Sequence, residues 1–376
     1  MKVTQWTQRG RLRTMSALPA EHRRPDVLLV FGPRGSLEDG ELAADLGALW
    51  PDAALLGCTT AGEISGTGVS ADAVVITALS FDRAHARVAE VALDGDHGEA
   101  GRALAQALAA PDLRALIILS EGLQTRAQRL VDGLQAGLPP AVVIAGGLAG
   151  DGDAFARTGV ITASGFLDHH AAALGIYGDA VLAGSASASG WHPFGLDRVV
   201  TRASGPVVYD IDGVRALDVY ARYLGEEAAH RPSSALVYPV AILSGDRLVA
   251  RSLSAVDHAT GALTFFGEIP EGSRIRLMHA SNAELVAGAG EAGALARLPD
   301  GSEPELALLF SCIGRKAVLG ASTELEVDAV IRALAAGAPI AGFYTYGEIG
   351  GVAGAGVCAH HNQTMTVMVL GERKRR

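Results

Sequence analysis

The chain repeats one succession of apolar and polar stretches three times. The first begins with DVLLVFG (Asp26–Gly32), a continuous apolar run. Such a run predicts a strand buried on both faces, because a half-exposed strand would alternate. Leu42, Leu46 and Leu49 follow at spacings of four and three, the period of a helix with one apolar side. AALLGCTTAG and AVVITALSF predict two further strands. The second copy runs ALIILSEG (Ala115–Gly122), a helix marked by Ala127, Leu130 and Leu134, then AVVIAGG and AAALGIYG. The third runs LALLFS (Leu306–Ser311), a helix with Val327, Val330 or Ile331, and Leu334, then PIAGFYTYG and MTVMVLG.

Two of the copies share a signature after the helix. GCTTAGEI (Gly57–Ile64) and GFYTYGEI (Gly342–Ile349) match at five of eight positions, and the middle copy has the looser GGLAGDGD (Gly146–Asp153). Counted from the last strong apolar residue of each first strand, Phe31, Leu119 and Phe310, the signature glycines follow after 26, 27 and 32 residues. Surface insertions accommodate that range. Residues 178–299 change character. VVYDIDGVRALDVYARYLG reads as a short strand, a turn at Asp212-Gly213 and a helix. RLVARSLSAVDHATGALTFFGEI reads as a hairpin turning at Thr260-Gly261. EGSRIRLMHA predicts another strand and NAELVAGAGEAGALARL a helix. The expected fold is α/β, with duplicated β-α-β-β modules forming two sheet-and-helix domains. The expected boundaries are an N-terminal segment 1–24, a first domain 25–190 holding two repeats, and a second domain 191–376 containing the third.

Charge narrows the function. With 31 basic and 41 acidic residues the net charge is −10, which disfavours nucleic acid and anionic membrane surfaces as partners. The basic run Arg373–Arg376 reads as a solvated tail. No window approaches the ~18 apolar residues of a membrane span. Three cysteines without metal-like spacing, and no apolar leader, point to a reduced cytoplasmic setting. Aromatics are 5% while glycines number 47, which suits tight backbone turns better than an aromatic-lined scaffold.

Taken in order, LLGCTTAGEI, LSEGL, GGLAGDGDAF, GWHPFG, VVYDIDGVRALDVYARYLG, LFSCIGR, GFYTYGEI and HNQT span nearly the whole chain. This set resembles the FIST (F-box and intracellular signal transduction) proteins, with paired N-terminal and C-terminal FIST domains. The resemblance implies a bacterial intracellular sensor that binds a small ligand and signals to a histidine kinase, a cyclic-dinucleotide enzyme or a chemotaxis-type receptor. It also raises a haem-binding branch that senses nitric oxide. The sequence departs from the family pattern after LSEGL, where Gln124-Thr125-Arg126-Ala127 replaces a polar Asn-Gly-Ser type turn. If that turn meets ligand, specificity differs here. No kinase, cyclase or coiled-coil segment lies within these residues, so output is expected through a separate partner.

The residue types suggest where a ligand would sit. Glu63 and Glu348 each follow a glycine that permits close backbone approach, and serve either a ligand or their own turn. Ser311, Cys312 and Arg315 end an apolar strand, where ligands of open α/β sheets collect. Arg315 either anchors a ligand carboxylate or is a surface arginine paired with a structural acid; on the first reading its removal is expected to abolish ligand response without unfolding the protein. Thr59, Thr60, Tyr344 and Tyr346 add hydroxyls; alternation lets only one tyrosine face a given pocket. Cys58 and Cys312 are either inert core residues or, beside Arg315, a nucleophile. Asn362 and His361 lie in the HNQT motif, and His361 and His192 are the candidate haem axial ligands, without any CxxCH for covalent attachment. The first reading is a sensor with its pocket at the repeat junction, sensing an amino-acid-like metabolite or haem. The rival is a hydrolase or acyl-transfer enzyme acting on a small amide, although nucleophile-elbow, HExxH and phosphate-loop motifs are missing.

Overall fold

The computed structural model describes residues 1–9, 24–66, 68–225, 238–244, 247–334, 337–351 and 357–374. Most of the N-terminal segment and Arg375 and Arg376 of the basic tail lie outside them. The first repeat contains β1 (Lys2–Arg9), β2 (Val27–Gly32), α1 (Arg34–Leu37), α2 (Glu41–Leu49), β3 (Ala54–Thr59), the hairpin β4 (Glu63–Ser65) and β5 (Gly68–Ser70), and β6 (Ala73–Ser80). The second contains β7 (His85–Ala92), α3 (His97–Leu108), β8 (Leu113–Ser120), α4 (Ala127–Ala136), β9 (Val143–Leu148), the hairpin β10 (Val160–Thr162) and β11 (Gly165–Leu167), and β12 (His170–Tyr177).

The third repeat starts with β13 (Val181–Ala188) and is then interrupted by an inserted sheet. That insert comprises β14 (His192–Ser204), β15 (Val207–Ile211), β16 (Val214–Arg215), α5 (Ala216–Leu224), β17 (Val240–Ser244), β18 (Arg247–Arg251), β19 (Leu253–Asp257), β20 (Ala262–Phe265) and β21 (Arg274–His279). The repeat resumes with α6 (Asn282–Leu295), β22 (Leu306–Cys312), α7 (Ile313–Leu319), α8 (Thr323–Leu334) and β23 (Ile340–Thr345). It ends with the hairpin β24 (Glu348–Gly351) and β25 (Cys358–His361), and with β26 (Met365–Glu372).

Three six-stranded sheets share one order: β1-β6-β2-β3-β10-β11, β7-β12-β8-β9-β24-β25 and β13-β26-β22-β23-β4-β5. In each, the central pair is parallel and every other described pairing is antiparallel. Each repeat gives its hairpin to another repeat's sheet. The first repeat's hairpin joins the third, the second's joins the first, and the third's joins the second. The three repeats are therefore cyclically interlocked. The boundary expected at 190/191 falls where the inserted sheet begins, and the hairpin exchange crosses it.

Both faces of the parallel strands are buried, which explains their unbroken apolar runs. Val27, Leu29 and Phe31 share one central core with Ala115, Ile117 and Leu119 and with Leu306, Leu308 and Phe310. The alternate residues Leu28 and Val30 meet Leu42 and Leu46 of α2 on the outer face. Leu116, Ile118 and Leu309 likewise join a core with α3, α4, α6 and α8. Three sheets thus enclose the centre, with helices outside. The inserted sheet has its own core, built from Val200, Val208, Leu217, Leu263 and Ile275 among others. Among the described residues no helix is long and apolar enough to cross a membrane.

Candidate functional site

Strand register aligns the three signatures. Phe31 lies beside Cys58, Leu119 beside Gly147, and Phe310 beside Phe343. The glycines one position earlier are required by space: a Cβ on Gly57, Gly146 or Gly342 would stand 2.2, 1.8 or 1.9 Å from the carbonyl oxygen of Val30, Ile118 or Leu309. The isoleucine that opens each exchanged hairpin lies opposite one of these glycines: Ile64 by Gly342, Ile161 by Gly57, Ile349 by Gly146. A ring of backbone bonds completes the junction. Ala61 N–H donates to Tyr344 O (2.8 Å), Gly150 N–H to Thr59 O (2.9 Å) and Tyr346 N–H to Leu148 O (3.3 Å).

This junction brings the predicted residues together but closes over them. Cys58, Thr59, Thr60, Glu63, Ser311, Cys312, Arg315, Tyr344, Tyr346, Glu348 and Asn362 are all buried. The expectation of an open pocket at the repeat junction is corrected by the interlock itself. The two carboxylates differ in how they are satisfied. Glu63 accepts from Thr60 Oγ1 (2.6 Å) and from Ser70 Oγ (2.9 Å), and burial raises its pKa against these bonds. Glu348 accepts twice at Oε2 from Thr364 (2.9 and 2.8 Å), while its Oε1 has no partner. Ser70 lies opposite Glu63, but at the equivalent place His361 lies opposite Glu348 and turns to Gly350 O instead.

Burial pushes the Glu348 carboxyl up to about 8. The folded state therefore holds this proton more tightly than the unfolded chain does. Its contribution to stability is complete below the ordinary value near 4.5 and is lost as pH rises to about 8. His360 and His361 are held neutral by burial and act in the opposite sense below pH ~6.5. Between pH 6.5 and 8 the protein should lose about 1.4 kcal/mol per pH unit through Glu348. Glu348→Gln should remove this slope in urea titrations; equal slopes in both proteins would refute it.

Arg315 is not available to a ligand. Its Nε and Nη2 bond Glu326 Oε2 (2.9 and 2.8 Å), Nη2 also donates to Leu285 O (2.7 Å), and Nη1 donates to Ser189 O and to Gln363 O (3.4 Å). Glu326 Oε1 accepts from Ser311 Oγ (2.9 Å) and Tyr344 Oη (2.7 Å). The predicted ligand anchors Ser311, Arg315 and Tyr344 thus hold a carboxylate that belongs to the protein. The thiols are no better placed for chemistry. Burial raises Cys58 and Cys312, and Cys358 to about 12, disfavouring the thiolate a nucleophile needs. The two candidate haem ligands do not fit that role. His361 Nε2 lies 3.3 Å from Gly350 O, and the half-exposed His192, on the inserted sheet, lies 3.5 Å from the Glu284 carboxylate of α6. Neither lines the two cavities described below, and no three metal-ligating side chains cluster among the described residues.

An open site does exist at one of the three strand ends. A cleft of about 380 Å³ lies beyond the carboxyl end of β8, between the turn 122–129 and the inserted sheet at Thr264–Glu268. It contains the Gln124-Thr125-Arg126-Ala127 turn that departs from the family pattern. Glu121 shapes that turn by accepting from Leu123 N (2.6 Å), Gln124 N (2.8 Å) and Thr158 Oγ1 (3.1 Å). Phe155 and Phe266 form an aromatic wall with centroids 5.8 Å apart, and Phe155 stacks on Tyr346 at 4.4 Å. Phe155 has φ +46°, a strained backbone for a bulky residue. Asp151 fixes this loop, taking N–H bonds from Ala156 (3.0 Å) and Arg157 (2.9 Å) and a bond from Tyr346 Oη. Of the expected tyrosines, Tyr346 supports the cleft and Tyr344 points to Glu326.

The floor of the cleft is Leu148 and His360. His360 is 3% exposed and its Nε2 has no hydrogen-bond partner. Gln128 Oε1 accepts His360 N–H (3.0 Å), and Gln135 bonds both backbone groups of Cys358 at 2.8 Å, so α4 covers the edge of β25. Behind the wall, buried Arg251 donates to the carbonyls of Ala250 (3.0 Å), Glu268 (3.4 Å) and His360 (3.5 Å). A larger cavity of about 520 Å³, lined by Leu138, Val142, Ile144 and Leu295, lies at the amino end of β9. Gly351 and Val357 also line it.

Residues 26–214 match the FIST N domain and residues 216–351 the FIST C domain. The chain belongs to the FIST family. No curated protein matches it. The FIST N match covers most of two repeats and enters the inserted sheet; the FIST C match runs from α5 to the end of β24. FIST domains are associated with sensory signalling. In this FIST protein the cleft is walled by residues of both matches. Sequence reasoning missed Phe155, Phe266 and Arg251. For Phe155 a signal was present in the quoted GDGDAF stretch; Phe266 and Arg251 come from the insert, whose placement no local pattern announces.

Proposed function

We propose that this FIST protein is a sensor whose input is a small metabolite bound in the cleft between α4 and the inserted sheet. The observation that carries this is the cleft's composition: one wall from the second repeat, the other from the insert, at a strand end left open. A ligand touching both walls favours one arrangement of insert and core over another. A separate protein, such as a histidine kinase or a cyclic-dinucleotide enzyme, reads that arrangement. Shifting a mostly-off state to mostly-on requires about 10⁴-fold differential affinity, or ~5.5 kcal/mol. An amino-acid-sized compound suits the cleft's volume.

A thermal-shift screen of amino acids and related small metabolites tests this. At 100 times its Kd a true ligand adds about 2.7 kcal/mol and raises Tm by several degrees. Phe266→Ala should remove the response of any compound that acts through the cleft. A panel without effect on Tm, or a response indifferent to Phe266→Ala, would contradict the proposal.

A further inference from the structure

We infer that the cleft selects its ligand by a carboxylate, held at the amino end of α4 beside Arg126, with the ligand's flat apolar body against Phe155 and Phe266. This rests on the cleft being the ligand site and adds the chemical class of the ligand. The first support is charge. The protein carries a net charge of −10, yet this cavity is lined by two arginines, with buried Arg251 behind it. Arg129 pairs with Glu268 at 3.5 Å, whereas Arg126 has no carboxylate partner among the described residues. Glu268 is already engaged, and Glu121 is saturated by its own turn. No acidic side chain is left over to recruit a ligand cation, although the aromatic wall alone would suit one.

The second support is the helix dipole. Helices α3 and α6 are capped by Asp96 and Ser281, while α4, like α2 and α5, has no side-chain cap. Its first-turn residues Ala127, Gln128 and Arg129 line the cavity, which puts the positive end of the helix dipole at its edge. The third support comes from the repeat symmetry. Tyr344 occupies in the third repeat the register position of Leu148. There it reaches Glu326, which Ser311 and Arg315 also bind. The third repeat closes its strand end with a carboxylate of its own; the second leaves the equivalent end open to one from outside.

Four probes separate the groups: 3-phenylpropanoate, phenylalanine, phenethylamine and 3-phenylpropanamide, titrated calorimetrically into the full chain at pH 7.5. The two carboxylates should bind within about threefold of each other, since the ammonium of phenylalanine has no partner waiting. The amine and the amide should bind at least tenfold more weakly. Exposed Arg126 can be changed without touching the core, and Arg126→Gln should weaken both carboxylates about tenfold while leaving the amide unchanged. Phe266→Ala should weaken all four. An amide or amine that binds as tightly as 3-phenylpropanoate, or carboxylate binding indifferent to Arg126→Gln, overturns the inference. If a compound without a carboxylate binds and is lost in Phe266→Ala, the cleft remains the site and only the ligand class is wrong. If neither these probes nor any member of the metabolite panel binds, both readings fall.

Discussion

Replacing Glu326 with alanine is expected to destabilise the protein by about 3–5 kcal/mol, the usual cost of stranding a buried charge. Arg315 is fully buried and has Glu326 as its only ion-pair partner among the described residues. The same change removes the acceptor of Ser311 Oγ and Tyr344 Oη, two hydroxyls with no route to water. Arg315→Ala should be similarly harmful, because it leaves a carboxylate and several carbonyls unpaired. This reverses the sequence-based expectation that Arg315 could be removed without disturbing the fold. The double variant Arg315→Met/Glu326→Leu should recover most of the loss, since a buried pair gains little over well-packed apolar residues. Urea unfolding followed by two spectroscopic probes measures this and tests whether the transition is two-state. A Glu326→Ala loss below about 1 kcal/mol would show that the charge finds water or another partner.

Gly342→Ala is expected to cost about 3 kcal/mol or to prevent folding, at the upper end of overpacking penalties. The added Cβ would fall 1.9 Å from Leu309 O and 2.7 Å from the carbonyl carbon. Relief requires β22 and β23 to move apart in the middle of a parallel pair, where the sheet is covered on both faces. Gly57→Ala and Gly146→Ala meet the same obstruction at 2.2 and 1.8 Å and should behave alike. Gly47→Ala provides the contrast. Its Cβ would meet nothing within 4 Å, inside α2, and the gain in helix propensity should stabilise by about 0.5–1 kcal/mol. Equal effects at Gly47 and Gly342 would refute the close-approach account of the signature.

The strands and their copies were legible because burial on both faces writes itself as uninterrupted apolar runs. The anchors Phe31, Leu119 and Phe310 and the glycines Gly57, Gly146 and Gly342 proved to be register equivalents. The hairpin exchange was not legible. Glu63 pairs with Phe343, 280 positions away, and nothing local to either residue records that. The role of Arg315 stayed open because a strand-end arginine looks the same whether it meets a ligand or a structural acid; it meets the acid, but in the core and not at the surface. A signal existed: Glu326 lies four residues before Val330 on the buried side of α8, and a carboxylate there demands a partner. The site itself was half visible. The turn 124–127 stood out by its departure from the family pattern, while the opposing wall comes from β20 and the residues after it, which only the chain's path brings across.

Hydrogen exchange of the full chain, with and without a saturating compound from the metabolite panel, tests the sensor reading most directly. A ligand bridging core and insert should slow exchange at both 122–130 and 264–268 and leave 138–144 unchanged. Protection confined to one wall, or appearing instead around Leu138–Ile144, would contradict it.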